Sequence, residues 1–200
     1  MPSSFSKLAG KNAMNGSGAT VISANFTNGV TGTLNINAGK LTLSQSSGNS
    51  GAISIASGAT LARTGGSYTN AGLITGTGTI DATGITFTNN GTIAPGTAGG
   101  AGIGTLTLLG NYHQGAGGVL QMGLGGTGAG QYDVLSVTGT AYLNGTLSTI
   151  AVNGYVPLLG DAFNLITYGA RSGSFANLFA PSGFSLAPGY SASYGKFTLH

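Results

Sequence analysis

Apolar and small polar residues alternate one by one along short stretches of the chain. Such stretches occupy residues 21–27, 33–37, 41–44, 52–56, 85–88 and 105–108. A period of two is typical of a strand that buries one face. Clusters of Gly, Asn and Ser separate the stretches, and Asn-Gly pairs provide positions that tolerate the positive φ of tight turns. No stretch shows a helical period, so the pattern predicts an all-β fold.

The strands also repeat. Gly-Thr followed by Ile or Leu occurs at 32–34, 78–80, 91–93, 104–106 and 145–147. Repetition of short strands and tight turns is typical of a solenoid, in which each coil buries its apolar face on its neighbours. We therefore predict a parallel β-helix. A β-sandwich, which has about seven longer strands, and a mixed β structure stay open as alternatives.

The composition is poor in charge and rich in glycine. Gly occupies 39 of 200 positions, charged residues make up 4% and hydrophobic residues 40%. That apolar content excludes disorder driven by charge, and the lack of charge excludes helices with solvated outer faces. Stacked strands lie about 4.8 Å apart, so like charges in register would repel. The shortage of charge therefore agrees with stacked coils.

The net charge of +3 reflects few acids rather than a basic patch. The six bases are scattered singly, at Lys7, Lys11, Lys40, Arg63, Arg171 and Lys196. Nucleic-acid binding needs clustered Lys and Arg, so we expect no nucleic-acid partner. The chain has no Cys, which excludes disulfides and thiolate metal sites.

The aromatic content changes near residue 110. Phe and Tyr number four in residues 1–110 and twelve in 111–200. We expect a loose polar leader at 1–18, plain β-helix coils at 19–110, and less regular, aromatic-rich rungs at 111–200. A bare solenoid end exposes core and unpaired backbone. The second part is therefore expected to form a C-terminal cap, with 184–186 and 196–199 as its strands.

The sequence assembles no catalytic group. Polysaccharide-cleaving enzymes need clustered or paired carboxylates, whereas Asp81, Asp133 and Asp161 are spread over eighty positions. Each Asp stands at a strand end or turn, where capping is its usual role. His113 is the only internal histidine and has no motif of nucleophile and acid beside it. We therefore predict no enzymatic activity, no cofactor and no bound metal.

Two groups of residues are candidate ligand contacts. Tyr112 and His113 form one, in the segment 111–114. Thr75, Thr77 and Thr79 form the other, because a flat threonine array on a β-helix can bind ice or stack on sugars. The simpler interpretation of the threonines is that Thr is a good strand residue.

A family resemblance enters in the second half of the chain. Its pieces are 91–96, 103–108, 110–114, 118–122, 131–141 and 143–147. Their order resembles the C-terminal passenger region of bacterial autotransporters and related β-strand-repeat surface proteins, over roughly residues 85–200. The resemblance implies a right-handed parallel β-helix that acts, without enzymatic activity, as a secreted or cell-surface stalk or adhesin passenger. It also implies host-cell or matrix surfaces, or glycans, as partners.

The chain departs from that family at both ends. Residues 1–7 lack the apolar run of a signal peptide, and the sequence stops at His200, where a translocator barrel would follow in that family. We therefore expect either a passenger fragment, whose partner would be an outer-membrane barrel, or a relative anchored by other means. A carbohydrate-binding or carbohydrate-active β-helix is the alternative function, and an ice-binding β-solenoid is a third.

Overall fold

The fold consists entirely of β-structure in the residues that are described. A computed structural model describes residues 4–14, 18–45, 47–97 and 102–200, and no helix occurs in these ranges. The ranges form 21 strands that belong to one hydrogen-bonded sheet. The predicted all-β class is therefore confirmed.

The strands are short, as the alternating stretches predicted. They are β1 (Ser4–Met14), β2 (Ala19–Ile22), β3 (Asn25–Ile36), β4 (Lys40–Leu43), β5 (Ser47–Asn49), β6 (Ala52–Ile55), β7 (Thr60–Arg63), β8 (Ser67–Asn70), β9 (Leu73–Gly76), β10 (Thr79–Asn89), β11 (Thr92–Pro95), β12 (Thr105–Gln114), β13 (Val119–Leu124), β14 (Val134–Val137), β15 (Thr140–Leu143), β16 (Thr146–Ala151), β17 (Ala162–Thr167), β18 (Ala170–Gly173), β19 (Asn177–Phe179), β20 (Leu186–Tyr190) and β21 (Tyr194–Leu199).

Parallel pairing arranges the strands in three columns. Column A contains β2, β4, β7, the first part of β10, the first part of β12, β14 and β17. Column B contains the first parts of β1 and β3, then β5, β8, the last parts of β10 and β12, β15 and β18. Column C contains the last parts of β1 and β3, then β6, β9, β11, β13, β16 and β19.

The chain returns to the same column at a regular interval, and we call one such interval a repeat. In column C the successive register partners Leu34, Ile53, Ile74 and Ile93 are spaced evenly, at about 20 residues, a spacing common in repeat architectures. The next partners, Leu120, Leu147 and Leu178, are further apart. The repeats therefore lengthen after Ile93, close to the change in composition. The sheet itself does not break at residue 110, because β12 continues through it.

Successive side chains point alternately inward and outward, as the period of two predicts. In β6 the exposure alternates between intermediate and buried from Ala52 to Ile55. Inward residues of column A are nearly inaccessible to solvent: Leu41, Leu61, Ile80, Leu108 and Val137 are all at most 3% exposed. Stacked register partners therefore form one continuous apolar core.

The segment expected to be a loose leader contains a strand. Ser4–Met14 forms β1 and pairs in parallel with β3 from Ser4 to Met14. Without β1, β3 would offer a row of unpaired N–H and C=O groups on that side, and a neighbouring segment can pair with such groups whatever its polarity. Residues 1–3 and 15–17 of the expected leader lie outside the described residues.

The C-terminal residues pair in the opposite sense. β20 and β21 form an antiparallel hairpin, and β21 also pairs antiparallel with β17. All other pairings between the described strands are parallel. Phe163 of β17 and Phe197 of β21 are register partners and are fully buried. The hairpin therefore covers β17 on the side that faces away from β14.

Candidate functional site

A line of buried amides runs through column B. Its members are register partners from repeat to repeat: Asn28, Asn49, Asn70, Asn89 and Gln114. Each Nδ2 donates to the side-chain oxygen of the next member, at 2.8, 2.8, 2.8 and 3.1 Å in turn. All five are at most 4% exposed. We call this line the amide ladder.

The amide ladder holds the corner between columns B and C. The Nδ2 of Asn70 also donates to the carbonyl oxygen of Gly72 at 3.1 Å and to that of Thr92, one repeat further on, at 3.2 Å. Buried carbonyl groups at a corner need such partners. Sequence reasoning missed the ladder, although Asn-x-Gly recurs at 49–51, 70–72 and 89–91 and so carries the signal.

An aromatic stack lies beside the ladder, inside the fold. The rings of Tyr68 and Phe87 are 5.6 Å apart, and those of Phe87 and Tyr112 are 6.3 Å apart. Tyr112 is fully buried, and its hydroxyl donates to Oε1 of Gln114. Burial raises the pKa of Tyr112 above its ordinary value. The structure therefore places this candidate contact in the core, out of reach of a dissolved ligand.

His113, the second candidate of that pair, lies on the outward face of column B. Its ring stacks on Tyr142, its register partner in the next repeat, with the ring centroids 4.2 Å apart and the planes 16° apart. Tyr142 is 40% exposed. The sequence analysis did not single out Tyr142, because it lies one whole repeat further along the chain.

A polar groove runs along the corner between columns A and B. Its volume is about 500 Å³. Four exposed polar side chains line it: Thr83, Thr86, Asn111 and Thr138. The buried Ile85 also lines it, and four glycines form the rest of its wall, including Gly110, where a side chain would lie 2.6 Å from the carbonyl oxygen of Ala82. The groove exists because these wall positions carry no side chain.

The threonines at 75, 77 and 79 do not share one face. Thr75 is on β9 in column C, is 7% exposed and donates to the carbonyl oxygen of Ile53 at 3.4 Å. Thr77 is exposed between strands, and Thr79 is on β10 in column A. Residues 75–79 therefore pass from column C, around a corner of the fold, into column A. Threonines that do stack from repeat to repeat are Thr60, Thr79 and Thr107 on the outward face of column A.

Asp81 and Asp161 each serve a local turn. Oδ1 of Asp81 accepts from the backbone N–H of Thr83 at 3.3 Å, and Oδ2 accepts from Nζ of Lys40 at 3.0 Å. The hydrogen bond from Lys40 lowers the pKa of Asp81. Oδ2 of Asp161 accepts from the backbone N–H of Leu158 at 2.8 Å and from the Tyr155 hydroxyl. Both residues cap turns, as predicted.

Asp133 has a longer-range structural role. It is fully buried, and its two oxygens accept from the backbone N–H groups of Gly104 at 2.8 Å and Gly123 at 2.7 Å. It thus joins two segments that are distant from it along the chain. Burial raises its pKa to about 6 against the opposing effect of these two hydrogen bonds. Nowhere in the described residues do three His, Asp or Glu side chains cluster as metal ligands would.

The buried carboxyl predicts a pH dependence of stability. Between pH 4 and pH 6 the folded state holds the Asp133 proton and the unfolded state does not, so the free energy of unfolding falls as pH rises. The fall begins near the unfolded pKa of an aspartate and levels off about one unit above pH 6. Urea unfolding of the wild type and of Asp133→Asn across this range measures the effect. Equal pH slopes for the two proteins would contradict the assignment.

Comparison with protein-family models and with curated protein sequences finds no match for this chain. None of the described segments forms a helix with the length and apolar character needed to cross a membrane.

Proposed function

We propose that the chain is a right-handed parallel β-helix segment that acts as a non-enzymatic scaffold outside the cell or at its surface, as a stalk or adhesin passenger of the autotransporter type. The observation that carries this proposal is the register of the parallel pairs. Leu34, Ile53 and Ile74 occupy one position of column C in successive repeats, and columns A and B follow the same order. Parallel crossovers within a sheet are right-handed in nearly all proteins, which supports that hand.

The stacking suits a rigid spacer. Column C contains eight strands when β1 is included. Seven steps of about 4.8 Å give a length of about 34 Å. Each step is held by backbone hydrogen bonds, and the first four steps of column B after β3 are also held by the amide ladder. Such a double connection resists bending.

The C-terminal hairpin supports the capping role predicted for the second part. β21 pairs antiparallel with β17 and occupies the edge to which a further parallel strand of column A would otherwise pair. Covered edges resist uncontrolled pairing with other chains. The buried rings of Phe163 and Phe197 close the apolar core beneath the hairpin.

The positions of the acids support a role without catalysis. Asp81 is paired with Lys40, Asp161 is held by Leu158 and Tyr155, and Asp133 is buried between two backbone N–H groups. Each carboxylate is committed to the fold, and general acid–base chemistry needs one that reaches a substrate. The partners expected for such a scaffold are cell or matrix surfaces, and a translocator barrel if the chain is part of a passenger.

A short peptide epitope inserted after Gly58 tests the proposal in the source cells. Gly58 lies in an exposed turn with a φ of 76° and has no heavy atom within 4 Å of the position of a Cβ. Exposed turns of this kind tolerate insertions. We expect antibody against the epitope to label intact cells or the medium.

The matched control carries the same epitope after Ala71. That site is flanked by Asn70, which is buried, and by Gly72. A Cβ on Gly72 would lie 2.1 Å from the carbonyl oxygen of Gly51. The control should therefore fold poorly and give little label. Labelling of the Gly58 insertion only after cell lysis would contradict a surface or secreted scaffold.

A further inference from the structure

We propose that the groove between columns A and B, together with the ring of Tyr142, binds a neutral oligosaccharide. This goes beyond the scaffold role and does not depend on it. The groove volume of about 500 Å³ lies within the usual range of small-ligand sites, roughly 300–1,000 Å³.

The groove presents hydrogen-bonding groups without charge. Thr83, Thr86, Asn111 and Thr138 are exposed along it, and none of its lining residues is ionisable. The Asn111 side-chain oxygen accepts from the backbone N–H of Thr140 at 2.8 Å, and this bond orients the amide. The bond does not use the Nδ2 of the same exposed side chain. Fixed hydroxyl and amide groups of this kind match the hydroxyls of a sugar.

Tyr142 provides an apolar platform. One face of its ring is covered by His113, at a centroid distance of 4.2 Å. The register partner on the other side is Ser172, whose side chain is too short to cover a ring. The 40% exposure of Tyr142 agrees with an open ring face. Rings with one apolar face in solvent and a polar tip are common at recognition surfaces.

The platform and the groove lie on the same outward face. Asn111 precedes His113 by two residues on β12, and Thr140 precedes Tyr142 by two residues on β15. Residues two apart on a strand share a face and are separated by about 7 Å. A ligand of two or three sugar rings can therefore stack on Tyr142 and reach the groove across the strands.

The nearby charges are already engaged, which favours a neutral ligand. Asp81 is paired with Lys40 at 3.0 Å. Arg63 is a buried residue, and its guanidinium donates to the carbonyl oxygens of Leu43 at 3.2 Å and Ser67 at 3.1 Å. A charged ligand would find no free counter-charge in these groups.

Cellohexaose, maltohexaose and mannohexaose are the probes, measured with the whole chain by saturation-transfer NMR and calorimetry. At least one is expected to bind with a Kd of about 0.1–5 mM. Tyr142→Ala should weaken binding about fivefold or more, in the range measured for aromatic contacts. Thr83→Trp should abolish binding, because Thr83 is exposed and lines the groove, so a large ring there fills it. The backbone bond from Thr83 to Asp81 is kept in this variant.

Two matched variants serve as controls. Tyr194→Ala removes a tyrosine of similar exposure, 37%, from β21. Thr27→Trp adds the same large ring to column B in an earlier repeat, at an exposed position paired with Gly48. Both should bind within twofold of the wild type. The proposal is overturned if no probe binds the wild type, if Tyr142→Ala and Thr83→Trp both bind normally, or if the controls lose binding equally.

Discussion

Replacing Gly72 with alanine is expected to lower the free energy of unfolding by about 4 kcal/mol or more. A Cβ at this position would lie 2.1 Å from the carbonyl oxygen of Gly51 and 2.6 Å from the carbonyl carbon of Ser50. Both atoms are backbone and cannot move aside as a side chain could. Overpacking of this kind forces the main chain of two repeats apart.

The same close approach recurs at two neighbouring corners between columns B and C. Positions of Cβ at Gly51 and Gly91 would lie 2.3 and 2.2 Å from the carbonyl oxygens of Gly29 and Gly72. Urea unfolding of Gly72→Ala beside Gly18→Ala measures the effect. Gly18 has no heavy atom within 4 Å of its Cβ position and should lose less than about 1 kcal/mol. Similar losses for both variants would show that the corner tolerates a side chain.

The second large effect is expected for Asn70→Leu, which keeps the approximate size of the side chain and removes its hydrogen bonds. The change takes away the acceptor of Asn49 Nδ2 and the donor to Asn89 Oδ1, both at 2.8 Å, in a site with 0% exposure. It also frees the carbonyl oxygen of Thr92. Asn49 Nδ2 keeps its bonds to the carbonyl oxygens of Gly51 and Leu73, so the main losses are at Asn89 Oδ1 and the Thr92 carbonyl oxygen. Buried groups that lose partners cost about 1–3 kcal/mol each, so we expect a total loss of about 2–5 kcal/mol.

Asn164→Leu is the matched control for this prediction. Asn164 is exposed on β17, outside the amide ladder, and the same substitution there should change stability by about 0.5 kcal/mol or less. Thermal or urea unfolding of the two variants gives the comparison. A loss below about 1 kcal/mol for Asn70→Leu would mean that the ladder contributes little to the fold.

The alternation of apolar and polar residues predicted the strands, because the apolar residues of a strand are the ones whose side chains face inward. Ile53 and Ile55 on β6 follow that period without exception. The amide ladder was not predicted, since Asn next to Gly is normally a turn residue. In 89–91, Asn90 forms the Asn-Gly pair typical of a turn, whereas the buried member of the ladder is Asn89. Only the register between repeats distinguishes the two.

The candidate site was predicted in part. His113 is on the outward face, but Tyr112, which was grouped with it, points inward. Continuing the alternation from Leu106 and Leu108 along β12 gives this result, so the signal was present in the sequence. The partnership of His113 with Tyr142 could not be predicted. It depends on the length of a repeat, which turns and insertions set independently of any strand.

The change in repeat length has a consequence for how such a chain can evolve. Between Leu34 and Ile93 the register partners recur at nearly equal intervals. A duplication of one such unit in the gene would place every new Asn, Gly and apolar residue opposite its own kind, and the protein would gain one step with its packing unchanged. After Ile93 the unit is longer, and inward partners can differ in size, as Tyr112 and Ala141 do in column B. Duplication of a unit can therefore lengthen the first half of the chain without changing its packing, whereas the second half changes by single substitutions.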